Sequence, residues 1–270
     1  MNEPIAPPPP SPATPGFDGG AGAVPPRRRP SAVPAGHGSA WWSEGWRLFA
    51  AKPWVWIAIT ILFVVITVML GLIPMLGSLA STLLAPVFAG GFLSGCRALD
   101  RGDELTINHL FASFSDRLVP LIIVGVAYLV ATLVIMVIVV GGIAATIGIT
   151  GIGALLSGDP LEAGLALLAG LGIGAMFAVL VGLLLLIPLL MAYWFAPALV
   201  VFRNEDPLAA MKLSFDASLV NMMPMTVYGL LGIVFAIVAS IPLGLGWCVL
   251  FPVFATSVYA SYKDIFGDPG

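Results

Sequence analysis

The chain has 270 residues, of which 59% are hydrophobic and only 9% charged, and its formal net charge is −3. A soluble domain carries roughly 25% charged residues, because its surface must interact with water. The composition therefore excludes an ordinary soluble domain and indicates a protein whose solvent is lipid. It also argues against a nucleic-acid partner, which requires a strongly basic face.

The first 38 residues are predicted to form a disordered tail. They are rich in Pro, Gly and Ala and contain few large apolar residues, so they bury too little surface to offset the entropy lost on ordering. The predicted division of the chain is a tail (1–38), a membrane domain (39–265) and a short C-terminal tail (266–270).

Six long apolar runs follow the tail, and a helix needs about 20 such residues to cross the hydrocarbon core. They lie near 54–75, 77–96, 119–146, 167–196, 225–243 and 245–262. Tight turns are predicted at Gly77 and at Gly244–Gly246, and a loop is predicted over 146–164. The fold class is therefore all-α, a polytopic bundle of about six transmembrane helices.

The basic residues predict the orientation of this bundle. If the N-terminus is cytoplasmic, all 11 Lys and Arg residues fall before about Pro53, in 97–118, in 197–224 or at the C-terminal end. Basic residues are retained on the cytoplasmic side of bacterial membranes. We therefore expect a multi-pass inner-membrane protein with both termini in the cytoplasm.

A threefold internal pattern accompanies the spans. Each even-numbered span carries a proline in a similar setting, LAPVFAGG at Pro86, FAPALVVF at Pro197 and LFPVFATS at Pro252. These three prolines are the candidates for helix kinks. A short amphipathic stretch precedes each odd-numbered span, and such stretches lie in the headgroup plane of membranes. The pattern predicts three parallel repeats of interfacial helix, span and span.

The predicted spans contain no Asp, Glu, Lys, Arg or His, the residues that usually mark proton relays and coupling sites in membranes. No catalytic, nucleotide or metal motif is present, and the two histidines, His37 and His109, are far apart in the sequence. The sequence thus predicts neither an enzyme nor a cofactor.

Five segments carry a resemblance to a known family: GWRLFAAKP, LDRGDELTINHLFASF, WFAPALVVF, DPLAAMKLSFDASLVNMMP and PVFATSVYASYKDIF. Over roughly residues 40–265 the chain resembles an uncharacterised family of six-span proteobacterial inner-membrane proteins. This family is similar to the YciC-like proteins and to the membrane domain attached to some glycerophosphodiester phosphodiesterases. The resemblance implies the six-span architecture, and it brings no activity and no functional residue.

Two functional hypotheses remain open at this point. The first is a non-enzymatic protein that acts through membrane lipids or partner proteins in envelope maintenance, with other membrane proteins or self-association as further partners. The alternative is a transporter or channel for a small or apolar solute, which would move between the three repeats past carbonyls freed by the prolines.

Overall fold

The computed structural model describes residues 30–267, and this part of the chain is almost entirely helical. The elements in chain order are α1 (His37–Ala51), α2 (Pro53–Gly71), α3 (Leu76–Asp100), a 3₁₀ helix (Ile107–Phe111), α4 (Ser113–Asp116), α5 (Leu118–Ser157), α6 (Pro160–Trp194), α7 (Ala196–Arg203), α8 (Pro207–Val220), α9 (Met222–Ser240) and α10 (Trp247–Phe266). The predicted all-α membrane bundle is confirmed.

Most of the predicted N-terminal tail and of the C-terminal tail lies outside the described residues. The described part of the N-terminal tail is attached to the helical body. The Ser31 N–H donates to the Ile265 carbonyl at 2.8 Å, and the Val33 N–H donates to Asn221 Oδ1 at 2.9 Å. Contact with the bundle thus begins before residue 39.

Local sequence signals explain where several helices begin. An Asp–Pro pair opens α6 and α8, because proline fits the first helical position and the aspartate accepts from free N–H groups. Asp159 Oδ1 accepts from the Leu161 N–H at 2.8 Å, and Asp206 Oδ2 accepts from the Leu208 N–H at 3.2 Å. Asp206 thereby marks the start of α8.

Within residues 30–267, five helical segments are long and apolar enough to cross a membrane: α2, α3, α5, α6 continued by α7, and α9. They coincide with the first five predicted spans. The sixth predicted span coincides with α10, which is helical over Trp247–Phe266 but less apolar. Its C-terminal half carries polar side chains that are buried against other helices, among them Thr256, Ser257 and Ser261.

The prediction of a loop over 146–164 is wrong. The structure continues α5 to Ser157 and begins α6 at Pro160, so the two helices form one hairpin with a turn at Gly158 and Asp159. Gly158 has a φ of +69°, which suits a glycine that ends a helix. The intervening sequence is apolar and uninterrupted by proline, so nothing in it ends the helix earlier.

The tight turns predicted at Gly77 and Gly244–Gly246 are present. A Cβ added to Gly77 would lie 1.7 Å from the Leu70 carbonyl oxygen, so only glycine allows α3 to start so close to the end of α2. Gly244 adopts a φ of +82°, a conformation that glycine reaches without strain.

A short helix followed by two long helices occurs three times, and α10 is a long helix outside the five apolar spans. The short helices pack in a cyclic manner. Each short helix lies mainly against the proline-bearing helix of the preceding unit. The 3₁₀ helix packs on α3, α8 packs on α6 and α7, and α1 closes the cycle on α10. This arrangement concentrates the buried core around the proline-bearing helices.

The three proline candidates occupy different positions in their helices. Pro86 and Pro252 lie inside the continuous helices α3 and α10. Pro197 lies in the first turn of α7, directly after the break that separates α7 from α6 at Phe195. Proline fits that first turn, since no helical hydrogen bond is lost there.

Candidate functional site

A cavity of about 360 Å³ lies between the three proline-bearing helices, and we call it the central cavity. Its walls come from α2, α3, the end of α6 with the start of α7, and α10. The lining residues are Phe63, Ala85, Phe88, Ala89, Phe92, Leu93, Leu190, Tyr193, Trp194, Pro197, Phe251, Phe254, Ala255 and Val258. Tyr193 and Trp194 are the only lining side chains with a polar atom, so the central cavity suits an apolar ligand.

Aromatic rings shape the central cavity. Phe63 meets Phe88 edge-to-face with centroids 5.3 Å apart and stacks on Phe251 at 5.3 Å. Trp194 meets Phe254 edge-to-face at 5.7 Å. Such pairs add roughly 0.5–1.5 kcal/mol each beyond the burial of their area. The walls from α2, α3 and α10 are therefore held together by ring contacts.

The central cavity reaches the outer surface of the bundle at the level of the spans. Ala85 is exposed, and Phe254 is 38% exposed. Phe63 lies ten residues after the start of α2, about 15 Å along the helix. This depth corresponds to the hydrocarbon region of a bilayer, whose core is about 30 Å thick.

A layer of mostly buried side chains lies between the central cavity and the end of the bundle where α3, α7 and α10 finish, which we call the basic end. The residues of this aromatic plug are Phe195, Leu199, Phe202, Tyr259, Tyr262 and Phe266. Tyr262 is fully buried and Tyr259 is 1% exposed. The Phe202 ring contacts the Tyr262 ring at 5.3 Å and the Tyr259 ring at 5.8 Å.

Charged residues surround the aromatic plug. Asp100 at the end of α3 accepts from Lys263 Nζ of α10 at 2.5 Å and from the Tyr259 hydroxyl at 3.1 Å. Arg47 of α1 lies 3.8 Å from the same carboxylate. Arg47 also donates to Glu44 at 2.9 Å, and this hydrogen bond lowers the pKa of the Glu44 carboxyl. The ends of α1, α3 and α10 are thereby joined.

A serine from α8 interrupts the backbone hydrogen bonds at the end of α6, beside the central cavity. The Ser214 hydroxyl donates to the Met191 carbonyl at 2.7 Å and accepts from the Phe195 N–H at 2.9 Å. In an unbroken helix these two backbone groups would bond to each other. A side chain inserted in this way is a known cause of helix breaks, and it separates α6 from α7 at Phe195, the first residue of the plug along the chain.

The structure brings the three proline-bearing helices together, but only Pro197 among the proline candidates lines the central cavity. Pro86 and Pro252 are buried within their helices. Ser214, Asn221 and the pairing of Asp100 with Lys263 were not predicted from the sequence. Ser214 and Asn221 both lie in the segment MKLSFDASLVN, where polar residues at buried helix positions were the available signal.

Comparisons with known proteins agree with this architecture. The chain is 28% identical over 238 residues to a probable inner membrane protein of Burkholderia thailandensis, a match that covers 84% of this chain and 82% of that protein. No protein-family profile matches the chain, and no solved structure matches it. This similarity and the apolar helices of the chain together support a multi-pass protein of the bacterial inner membrane.

Proposed function

We propose that this protein binds a membrane lipid in the central cavity and acts through that lipid without catalysing a reaction. The observation that carries this proposal is the position of the central cavity, which is apolar, open at hydrocarbon depth and closed by the aromatic plug at the basic end. A lipid chain reaches such a site from the bilayer without crossing water, so its transfer costs little free energy.

The basic end is assigned to the cytoplasm in this proposal. It carries Arg101, Arg117, Arg203, Lys212 and Lys263, and the Lys and Arg residues of short loops, rather than the net charge, determine which side is cytoplasmic. We also propose that the protein acts in envelope maintenance. In the same way, we propose that it is related to the YciC-like proteins and to the membrane domain of some glycerophosphodiester phosphodiesterases. Other membrane proteins or a second copy are further partners that it leaves open.

Filling the central cavity tests the proposal. Ala89 lies on α3 and lines the cavity, so we expect Ala89→Phe to occupy the space that a chain would take. The amount of lipid that co-purifies in native mass spectrometry should fall about ten-fold, which corresponds to roughly 1.4 kcal/mol. Ala144→Phe is the matched control, because Ala144 is exposed on α5. Equal lipid in both variants would contradict the proposal.

Transport of a small or apolar solute is the second candidate. The break at Phe195, held by Ser214, favours it, because movement of α7 there would displace Phe202 from the plug. A protein of this kind would conduct solute in sealed vesicles, and Ser214→Ala would change the rate. The absence of solute flux into these vesicles would remove support for this candidate and leave lipid binding as the function.

A further inference from the structure

The central cavity is one of three apolar spaces that share walls. A groove of about 700 Å³ lies between α1, α9 and α10 on the outside of the bundle, and we call it the lateral groove. A middle cavity of about 400 Å³ separates the groove from the central cavity. Trp42 and Leu250 line both the groove and the middle cavity. Trp194, Phe251 and Phe254 line both the middle and the central cavity.

The shared lining residues place the three spaces side by side, from the groove on the outside of the bundle to its centre. Trp42 stacks on Tyr228 with centroids 4.7 Å apart, and its Nε1 donates to the Tyr228 carbonyl at 3.0 Å. These contacts fix the indole ring where the groove meets the middle cavity. Phe254 lies where the middle cavity meets the central cavity, and its ring is 5.7 Å from that of Trp194.

The chemistry of the lateral groove favours one class of lipid. Its lining contains no charged side chain, and its polar lining side chains are those of Ser39, Ser43 and the tryptophans Trp42 and Trp46. The two serines occupy one face of α1. The Ser39 hydroxyl donates to the Gly36 carbonyl, and the Ser43 hydroxyl donates to the Ser39 carbonyl. Both hydroxyl oxygens can therefore accept a hydrogen bond from a ligand. Trp46 is 54% exposed at the edge of the groove. A lipid phosphate would find no cation in this lining.

We propose, on the basis of the proposed lipid-binding function, that an uncharged long-chain lipid with a hydroxyl head reaches the central cavity through the lateral groove. Diacylglycerol and long-chain isoprenoid alcohols share this chemistry. The head lies at Ser39 and Ser43, where its hydroxyl donates to a serine oxygen, and a chain extends past Trp42 and Phe254. The helix α1 forms the outer wall of this route.

The test uses the full-length protein in nanodiscs of phosphatidylethanolamine and phosphatidylglycerol with a photoactivatable diacylglycerol probe. Val249 lines the groove but neither of the other cavities, so Val249→Trp should reduce labelling of peptides at the central cavity at least about ten-fold. Val68→Trp is the matched control at a position that is 57% exposed on α2. Ser43→Phe narrows the rim from an exposed helix position and serves if Val249→Trp folds poorly, with Ala50→Phe as its control.

Each result bears on a different part of the inference. Loss of central labelling in Val249→Trp or Ser43→Phe, but not in the controls, supports the route. If Ala89→Phe abolishes labelling and the groove variants do not, the lipid enters through the opening at Ala85 and Phe254, so the route through the groove is overturned and lipid binding stands. Competition by unlabelled diacylglycerol but not by phosphatidylglycerol supports the lipid class, and equal competition overturns it. Labelling that no variant changes reflects annular lipid only and overturns both proposals.

Discussion

At the scale of single residues, Ser214 determines how the wall of the central cavity is built. Its hydroxyl satisfies both backbone groups left open at the break, the Met191 carbonyl and the Phe195 N–H. The residue is fully buried, so water cannot replace the hydroxyl without entering the bundle. A buried polar group that loses its partner costs roughly 1–3 kcal/mol.

We therefore predict that Ser214→Ala destabilises the protein by about 1–3 kcal/mol and lowers its thermal unfolding temperature in detergent. Ser218→Ala is the matched control. Ser218 is also buried on α8, but it gives only one longer hydrogen bond, 3.3 Å to the Met191 carbonyl, an atom that Ser214 still satisfies. A Ser214→Ala variant as stable as Ser218→Ala would refute the role of the inserted hydroxyl.

At the scale of helices and their contacts, glycine allows the short helices to approach the proline-bearing helices. A Cβ added to Gly91 of α3 would lie 2.2 Å from the Leu110 carbonyl oxygen in the 3₁₀ helix. A Cβ added to Gly45 of α1 would lie 2.7 Å from Ser257 of α10. The Gly45 carbonyl also accepts from Thr256 Oγ1 at 2.8 Å. Small residues permit such close packing of backbones in lipid.

Alanine at Gly91 should therefore separate the 3₁₀ helix from α3 and lower the unfolding temperature. Backbone atoms oppose the new methyl group, and overpacking of this kind costs about 1–3 kcal/mol. Gly172→Ala provides the control, because a Cβ there meets nothing within 4 Å, so its effect should be neutral or slightly stabilising. Similar stability of the two variants would mean that this packing is not tight.

Most of the helices could be predicted from the sequence, but most of the contacts between them could not. Apolar run length located the spans, and Asp206–Pro207 located the start of α8, because these signals are local. The pairing of each short helix with the preceding unit depends on contacts between distant residues such as Gly91 and Leu110. The insertion of Ser214 beside Met191 also depends on residues that are distant in the sequence, and no local pattern specifies it.

The central cavity was predictable only in outline. The proline pattern indicated that the even-numbered spans are alike, and these helices do surround the cavity. Its aromatic lining comes from residues such as Phe63 and Phe251, which are indistinguishable from lipid-facing residues in an apolar run. Period and composition cannot assign an apolar side chain to lipid or to a cavity when both surroundings are apolar.

At the scale of the whole molecule, the α5–α6 hairpin is longer than a membrane is thick. α5 has 40 residues and extends about 60 Å, whereas the hydrocarbon core is about 30 Å thick. Even at a tilt of about 40°, the upper end of the usual range, such a helix rises about 46 Å. α2 and α9 each have 19 residues and fit the core, so the tip of the hairpin extends beyond it.

The extended hairpin leads to a prediction of topology. In a variant with Cys96 and Cys248 replaced by alanine, we expect a cysteine at Leu155 to react with a membrane-impermeant maleimide added outside the inner membrane. A cysteine at Val130 of the same helix should stay unlabelled, because it lies about 18 Å from the start of α5. Both positions are exposed, at 85% and 53%, so burial within the protein does not separate them.

A cysteine at Lys212 completes this experiment, because it should react only after the cells are permeabilised. Labelling of Lys212 in intact spheroplasts would reverse the proposed orientation. Protection of Leu155 equal to that of Val130 would show that the tip of the hairpin is embedded in the membrane.

The central claim is that the cavity between the proline-bearing helices holds a lipid chain. It is tested most directly by native mass spectrometry of the protein released from nanodiscs, with Ala89→Phe and Ala144→Phe measured in parallel. We predict one retained lipid per protein in the parent chain and in Ala144→Phe, and loss of that lipid in Ala89→Phe. Retention of the lipid by all three proteins, or by none, would contradict the claim.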